Sequence, residues 1–409
     1  GFGPAGMFAA YALAVAGLKP IVLERGKAVD ERLSDVESFW QCGKLDTESN
    51  VQFGEGGAGT FSDGKLTTGI KDIRCGAVLK VFAENGAKEE ILTDAKAHIG
   101  TDILRVVVKN IRNKIISLGG EIRFSNKLIG IETDKNSVSA VKVLSNDGEY
   151  TLSCRDLILA IGHSARDTFS MLKCLGIEMV RKPFAVGVRI EHKQSDINRA
   201  LYGDFSDSPY LPAADYKIDT HLENGRGVYT FCMCPGGFVV NASSEENRLA
   251  VNGMSYSARN SENANSAVLT EVNPSDFEGD DVLAGVRFQR DLESKAFSLA
   301  KGQGIPVQTL GSFLHGKECE ATVNPSVLPK AIYCDISSIF PDFITDSLKK
   351  GILEFDKKIS GFADDGAVIT APESRSSSPI RMLRGEDLNS VNLKGLYPCG
   401  EGAGYAGGI

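Results

Sequence analysis

Three glycines open the chain with a spacing that suits phosphate binding. Gly1, Gly3 and Gly6 follow the pattern G-x-G-x-x-G in the segment GFGPAG. Such glycines allow a tight turn, let the backbone approach a pyrophosphate and permit close packing of a helix on a strand. Pro4 suits the first turn of a helix, because the N–H that it lacks would be unpaired there. The spacing alone is weakly specific, and a glycine-rich helix start is its ordinary alternative.

An acidic residue follows at the distance that a nucleotide-binding unit requires. Residues 5–17 predict a helix that a glycine closes, and residues 21–23 predict a strand buried on both faces. Glu24 ends this strand, 18 residues after Gly6. A carboxylate at this place accepts hydrogen bonds from both hydroxyls of an adenosine ribose. The helix, the strand and the terminal Glu together favour a dinucleotide-binding fold.

Two later segments resemble the other signatures of flavoproteins with two dinucleotide-binding folds. RDLILAIGHSARDTF predicts a buried strand that ends in Ala160-Ile161-Gly162, and GLYPCGEGAGYAGGI predicts a short strand followed by Gly400 and Glu401. The resemblance implies FAD rather than NAD, with Glu401 on the ribitol chain. It also implies a helix from about residue 404, whose N–H groups would face the flavin edge that becomes negative on reduction.

Three longer blocks carry a more specific resemblance. VQFGEGGAGTFSDGKLTT (51–68), FCMCPGGFVVNASSEENRLAVNGMS (231–255) and ESRSSSPIR (373–381) are similar to uncharacterised bacterial FAD-dependent dehydrogenases. That family is distantly related to the HI0933-like flavoproteins, and the resemblance covers nearly the whole chain. It implies FAD but no particular substrate. Members of the family carry a segment before the first glycine turn and continue the last helix. We therefore expect this chain to be a fragment cut at both ends, which lacks its first strand and the rest of its last helix.

The motifs and the resemblance together imply a set of cofactor-binding residues. The expected contacts are Gly1, Gly3, Pro4, Ala5, Gly6, Glu24, Arg25, Gly57, Ser62, Asp63, Gly64, Lys65, Leu128, Ala160, Gly162, Gly400, Glu401, Ala406, Gly407 and Ile409.

Three residues are candidates for catalysis, and each has an ordinary structural alternative. Lys65 would stabilise reduced flavin by its charge, although Ser-Asp-Gly before it is also common in solvated turns; we favour the cofactor contact. His163 titrates near neutral pH, but we favour a role in fixing the strand-to-helix turn. For Arg375, with Glu373 and Arg381 nearby in sequence, substrate binding and structural ion pairing are both open.

Two cysteines in FCMCPGG invite a redox interpretation. The usual dithiol spacing is C-x-x-C, whereas Cys232 and Cys234 are separated by one residue. Residues two apart on a strand share a face, so we interpret both thiols as core residues. No Cys or His cluster has zinc spacing, and we predict no metal site.

The order of elements predicts a divided α/β protein. We expect a Rossmann-like parallel sheet with a small β-meander near 121–153, built by residues 1–182 and completed by 366–409. Residues 183–365 break the α/β rhythm with alternating antiparallel strands. We interpret them as an inserted, β-rich α+β domain on the substrate side.

Composition narrows the classes of protein. The chain has 409 residues with 45 Lys and Arg against 53 Asp and Glu, a net charge of −8. This acidic balance argues against nonspecific nucleic-acid binding. The longest apolar run, MFAAYALAVAG, is too short for a membrane span of about 20 residues. Nine scattered cysteines favour a reducing, cytoplasmic compartment, and no motif indicates a protein partner.

The sequence therefore predicts an FAD-dependent oxidoreductase, a dehydrogenase or reductase, with a non-covalent flavin. The flavin supplies the chemistry and the protein positions it; NAD(P)H is a candidate transient donor, and the substrate is open. A protein that holds FAD as a structural or sensing ligand is the alternative. A nicotinamide-only dehydrogenase is disfavoured by the later strand motifs.

Overall fold

A computed structural model describes residues 1–66, 68 and 70–406. Within these residues the helices, in chain order, are α1 Pro4–Val15, α2 Val29–Cys42, α3 Ile73–Glu84, α4 Thr101–Ser117, α5 Arg166–Cys174, α6 Gln194–Tyr202, α7 Ala284–Leu299, α8 Leu310–His315 and α9 Asp342–Asp356. The strands are β1 Ile21–Leu23, β2 Glu121–Arg123, β3 Lys127–Asp134, β4 Ser137–Ser145, β5 Gly148–Ser153, β6 Leu157–Leu159, β7 Met179–Arg181, β8 Phe184–Lys193, β9 Asp219–His221, β10 Gly227–Cys234, β11 Phe238–Asn241, β12 Val251–Met254, β13 Asn263–Val272, β14 Ile305–Thr309, β15 Ala331–Tyr333, β16 Val368–Glu373, β17 Ile380–Met382 and β18 Leu396–Pro398.

Two short pairs of parallel strands end beside the predicted nucleotide-binding turns. Strand β1 pairs with β2, and β6 pairs with β18, in both cases parallel. The backbone N–H of Phe2 donates to Glu24 at the end of β1, at 2.7 Å. On the other side, Gly1 packs directly against the carbonyl of Ala160 at the end of β6. The opening turn therefore lies between the ends of the two pairs.

The burial of β1 differs from the expectation. Val22 is buried and packs with residues of α1 and α4, such as Ala10 and Val107, whereas Ile21 is 43% exposed. Successive strand residues point to opposite faces, so this three-residue strand presents only its middle side chain to that cluster. The prediction of a strand buried on both faces was wrong.

The predicted β-meander is present, with one change in membership. Strands β3, β4 and β5 form an antiparallel three-stranded sheet. Residues 121–124 were predicted to belong to it, but β2 instead pairs with β1. Helix α4 comes between β1 and β2 and packs on α1 through the same hydrophobic cluster. This β-helix-β arrangement is the usual route by which two strands become parallel neighbours.

A seven-stranded mixed sheet dominates the rest of the protein. Its order is β15-β14-β16-β8-β13-β10-β9, and β8 is buried along almost its whole length. Helices α7 and α9 contribute to the core cluster of this sheet. Strand β16 lies beside β8, with Ile369 opposite Ile190. The predicted return to the FAD-binding part at residue 366 is therefore wrong, because the backbone of 368–373 hydrogen-bonds inside the β-rich sheet.

In the part of the chain that the structure describes, no helix combines the length and the apolar character needed to cross a bilayer.

Candidate cofactor-binding site

The N-terminus of α1 presents backbone donors that the helix itself leaves without carbonyl partners. Gly3 is the N-cap residue, without any side-chain cap, and Pro4 is the first helical residue. Met7 N–H donates to the carbonyl of Gly3 at 2.8 Å. The N–H groups of Ala5 and Gly6 belong to the first turn, where α-helix geometry offers them no carbonyl partner. Such a helix end attracts an anionic group such as a pyrophosphate.

Backbone segments from four parts of the chain meet around this turn. A Cβ added to Gly6 would fall onto the carbonyl oxygen of Gly1 and lie 3.5 Å from the Cβ of Ala160. A Cβ added to Gly57 would lie 2.9 Å from the Cα of Gly3. A Cβ added to Gly400 would lie 2.8 Å from Ala5. The predicted residues of the first, second and last motifs are thus neighbours, and the loop at Gly57 covers the turn.

Glu24 holds the turn in place through three backbone donors. Its carboxylate is 5% exposed and accepts hydrogen bonds from Phe2 at 2.7 Å, Gly26 at 3.0 Å and Gly54 at 2.9 Å. A carboxylate has about four acceptor positions. Backbone N–H groups occupy three of these acceptor positions. Glu24 can therefore accept a hydrogen bond from about one ribose hydroxyl, not from both as expected.

Arg25 lines a polar cavity beside the turn. Its guanidinium lies 4.1 Å from the ring centroid of Phe53 and forms ion pairs with Glu48 at 2.7 Å and Asp167 at 2.9 Å. The cavity has a volume of about 250 Å³. Its other walls include Ser164 and residues 244–246.

Leu128 lies on β3, half-buried against a separate apolar cluster that contains Leu159.

His163 and Glu401 join the second and third motifs. The imidazole Nδ1 lies 3.0 Å from Glu401 Oε1. The other ring nitrogen, Nε2, is buried and has no protein hydrogen-bond partner among the described residues. Gly402 packs against the backbone of Gly162. His163 therefore links the two motifs through Glu401, and among the described residues its Nε2 has no partner and is available to a ligand. Its role in fixing the strand-to-helix turn stays a prediction.

The last motif ends close to the limit of the described residues. Residues 401–404 form a turn, and Ala406 is exposed. Arg381 donates to the carbonyl of Gly404 at 3.3 Å. The predicted contacts at Gly407 and Ile409 lie outside the described residues.

Asp63 and Lys65 belong to a buried ionic cluster rather than to a solvated turn. Asp63 is 1% exposed and is contacted by Lys65 at 3.2 Å and by Arg259 at 3.1 Å. Burial raises the pKa of Asp63, but these two cations outweigh it and leave the pKa below its ordinary value. His98 lies 3.6 Å from Asp63, and burial lowers the pKa of this imidazole to about 4. Ser255 also donates to Asp63.

Ser62 and Gly64, the two other predicted residues of the segment 62–65, contact backbone atoms of the protein. Ser62 donates its hydroxyl to the carbonyl of Gly59 at 3.0 Å. Gly64 has a positive φ of 71° and packs against the backbone of Gly100. The sequence identified the segment, but it did not identify Arg259, His98 or Ser255 as its partners.

Arg375 is a structural ion-pair residue that also hydrogen-bonds Ser164 in the wall of the cavity. It makes two hydrogen bonds to Glu293, of 3.0 and 2.9 Å, and donates to Ser164 at 3.3 Å. Arg166 makes two further bonds to the same carboxylate, each of 2.8 Å. Glu293 is fully buried, and although burial raises its pKa, both arginines hold that pKa well below its ordinary value. Sequence reasoning missed Arg166 and Glu293, which lie on α5 and α7.

The three charged residues of the segment ESRSSSPIR (373–381) have separate partners. Glu373 pairs with Arg189 at 2.9 Å, Arg375 pairs with Glu293, and Arg381 approaches the ring of Tyr405. They therefore do not form one ion-paired loop, because neighbouring side chains of this segment point to different elements.

The hydrogen-bonding groups around the opening turn suit the polar groups of FAD. The turn offers backbone N–H groups for a pyrophosphate, Glu24 retains an acceptor position for a ribose hydroxyl, and His163 retains a buried nitrogen. The close approach of Gly6 to Gly1 leaves no space for a side chain where the backbone must meet the cofactor.

Comparisons with known proteins identify the family. Residues 183–376 match the family model described as "FAD-dependent protein, C-terminal domain-like". A Clostridium beijerinckii protein, described as uncharacterized, is 51% identical over 413 aligned positions, which cover 100% of this chain and 77% of that protein.

The solved structures that match this chain are more distant. One is OxyS anhydrotetracycline hydroxylase from Streptomyces rimosus, with 16% identity, a TM-score of 0.31, and coverage of 68% of this chain and 46% of that chain. Another is aklavinone-11 hydroxylase in complex with FAD and aklavinone, with 14% identity, a TM-score of 0.29, and coverage of 67% and 45%. This chain thus spans less than half of each of those proteins.

The C. beijerinckii relative and the matched domain decide the assignment. The relationship to HI0933-like flavoproteins stays a prediction. The chain belongs to the family of FAD-dependent proteins that carry this C-terminal domain, and FAD is its cofactor.

Proposed function

We propose that this flavoprotein is an oxidoreductase that passes hydride or electrons through a non-covalent FAD. The observation that supports the proposal is the convergence of the opening turn, the end of β6 and the Gly400–Glu401 turn, with His163 between the last two. Bound FAD supplies the redox chemistry. The protein residues bind it, orient it and adjust the charge around it.

Each part of the site has a role in this proposal. The first turn of α1 binds the pyrophosphate, and Glu24 holds one ribose hydroxyl while it fixes the turn. We place the adenosine end towards Arg25 and the cavity beside it. His163 holds Glu401 at Nδ1 and offers Nε2 as a hydrogen-bond partner for the flavin end.

Lys65 is proposed to act through its charge. Its side chain is only 22% exposed, and its ammonium group pairs with Asp63. A cation at the pyrimidine edge of the flavin would stabilise the negative charge of the reduced form. We do not propose a catalytic role for Arg375, because its guanidinium is paired with Glu293.

The remaining expectations stay proposals. We propose a small-molecule substrate reached from the β-rich part, NAD(P)H as a transient donor, and a cytoplasmic location. We also keep the division into a FAD-binding part and a β-rich part, with its second boundary moved to follow β16.

Replacing Gly6 with Ala is expected to abolish FAD binding. The new Cβ would fall onto the carbonyl oxygen of Gly1, so the turn must open. Gly76→Ala is the matched control, since this glycine also lies in a helix and, among the described residues, no atom lies within 4 Å of an added Cβ. Alanine there should be neutral or stabilising, by up to about 1 kcal/mol. FAD content per chain measures the effect, and a normal FAD content in Gly6→Ala would contradict the assigned pyrophosphate site.

Anaerobic addition of NADH or NADPH is expected to bleach the flavin absorbance of the FAD-loaded protein. Denaturation should release FAD, which chromatography identifies. Dithionite is the control, because it reduces a bound flavin without a nicotinamide site. Bleaching by dithionite but by neither nicotinamide would count against NAD(P)H as donor. If screened organic donors and acceptors then also fail, the function as a structural or sensing flavoprotein becomes the better proposal.

A further inference from the structure

The end of β10 places two cysteines in an irregular stretch of backbone. Between Phe231 and Cys234 the register of β10 on β13 shifts by one residue, which is a β-bulge. Cys232 has a positive φ of 44°, a conformation that non-glycine residues rarely adopt. In a regular strand, residues two apart would be separated by about 6.6 Å. The bulge bends this segment, and Cys234 Sγ approaches the carbonyl of Cys232 at 3.3 Å.

The two thiols are not in an apolar core. The guanidinium of Arg189 is completely buried and contacts Cys234 Sγ at 3.8 Å and the Cys232 carbonyl at 3.0 Å. Arg189 and Lys65 both act on the thiols by their charge. Glu373 and Asp63 pair with these two cations. The expectation of core cysteines holds for the burial of Cys234, whereas Cys232 is only partly buried and both lie near charged groups.

The two thiols differ in accessibility and acidity. Cys232 is partly exposed, whereas Cys234 is fully buried. A hydrogen bond from Cys234, together with the charges of Arg189 and Lys65, lowers the pKa of Cys232. Burial raises the pKa of Cys234. An accessible thiolate beside a buried thiol is the arrangement in which one sulfur attacks and the other resolves the mixed disulfide.

We propose that Cys232 and Cys234 form a redox-active dithiol that converts to an intrachain disulfide by exchange with low-molecular-weight disulfides. The Cys232 thiolate attacks one sulfur of the small disulfide, giving a mixed disulfide and one released thiol. Cys234 then loses its proton and attacks Cys232 Sγ, forming the intrachain bond and releasing the second thiol. The cysteines lose two electrons, the small disulfide gains two, and the two protons end on the released thiols. This site goes beyond the proposed flavin function and does not depend on it.

A redox titration of the purified chain tests the proposal. The protein is equilibrated anaerobically in buffers of reduced and oxidised glutathione, quenched in acid, alkylated and digested with trypsin. Residues 227–248 form one tryptic peptide, GVYTFCMCPGGFVVNASSEENR, whose cysteines are Cys232 and Cys234 alone. We expect one reversible transition from a doubly alkylated peptide to an unalkylated peptide that is lighter by two hydrogen atoms than the free dithiol.

Variants separate this chemistry from general oxidation. Cys232→Ser and Cys234→Ser should each abolish the intrachain disulfide and leave at most a glutathione adduct on the remaining thiol. Cys174→Ser, which removes an exposed cysteine, should leave the transition unchanged. Two alkyl groups on the wild-type peptide at every glutathione ratio would overturn the proposal, as would an adduct without an intrachain bond. Because the wild-type titration decides the result, misfolding of a variant cannot obscure it.

Discussion

Replacing Glu293 with Gln is expected to destabilise the protein by about 3–5 kcal/mol, the range for breaking a buried ion pair. The carboxylate is fully buried and accepts from Arg166 and Arg375, and also from Ser374 at 2.7 Å. Gln keeps the shape but removes the charge, so two buried guanidinium groups lose their main counterion. Glu245 contacts Arg166 at 2.6 Å and compensates only in part, since it is 23% exposed.

Urea unfolding measures this change, and Asp291→Asn is the matched control. Asp291 lies on the same helix, α7, but is exposed, so its replacement should change stability by no more than about 0.5 kcal/mol. If Glu293→Gln were as mild as Asp291→Asn, the network would not contribute to holding α5, α7 and the Arg375 segment together.

The same carboxylate predicts a dependence on pH. The folded protein holds the pKa of Glu293 well below its ordinary value of 4.5. A carboxylate with a depressed folded pKa contributes fully above its unfolded pKa, and the contribution is lost as the pH falls towards the folded value. The stability difference between wild type and Glu293→Gln should therefore be largest above about pH 5 and shrink on acidification. A difference that grows towards low pH would contradict the assigned ion pairing.

Local features of the fold could be predicted because their signals lie within short segments. The opening helix, residues 4–15, follows from a glycine turn and a run of good helix formers. The meander strands β3, β4 and β5 follow from alternation and turn residues and lie within the predicted range of 121–153. Phosphate-binding turns are recognisable for the same reason, since their glycines are fixed by local backbone geometry.

Pairings between distant segments could not be predicted in this way. Strand β16 has a hydrophobic pattern that suits either sheet, and only its hydrogen bonds to β8 and β14 place it. Glu293 and Arg166 are 127 residues apart, so no spacing rule connects them. Likewise, the sequence predicts that Cys232 and Cys234 lie two residues apart on a regular strand. The bulge at this position depends on the register of β10 against β13, which a local pattern does not reveal.

Replacing Glu24 with Ala is expected to weaken FAD binding by more than about tenfold. One bond from a ribose hydroxyl to a charged acceptor contributes about 1.5–3 kcal/mol, and 1.4 kcal/mol corresponds to a factor of ten. The substitution also leaves the N–H groups of Phe2, Gly26 and Gly54 without their acceptor. Each unpaired buried donor costs about 1–3 kcal/mol, so the turn that binds the pyrophosphate loses its fixed position as well.

Two measurements separate the loss of the ribose contact from the loss of the turn. Calorimetric titration of the flavin-free protein with FAD gives the affinity, and thermal unfolding without FAD gives the stability of the turn and its surroundings. Glu31→Ala is the control, because this glutamate lies exposed in the first turn of α2. If Glu24 acts only through the ribose, affinity falls and the unfolding temperature stays constant. Because Glu24 anchors three backbone groups, we expect both to fall, and an unchanged FAD affinity would exclude Glu24 from the cofactor site.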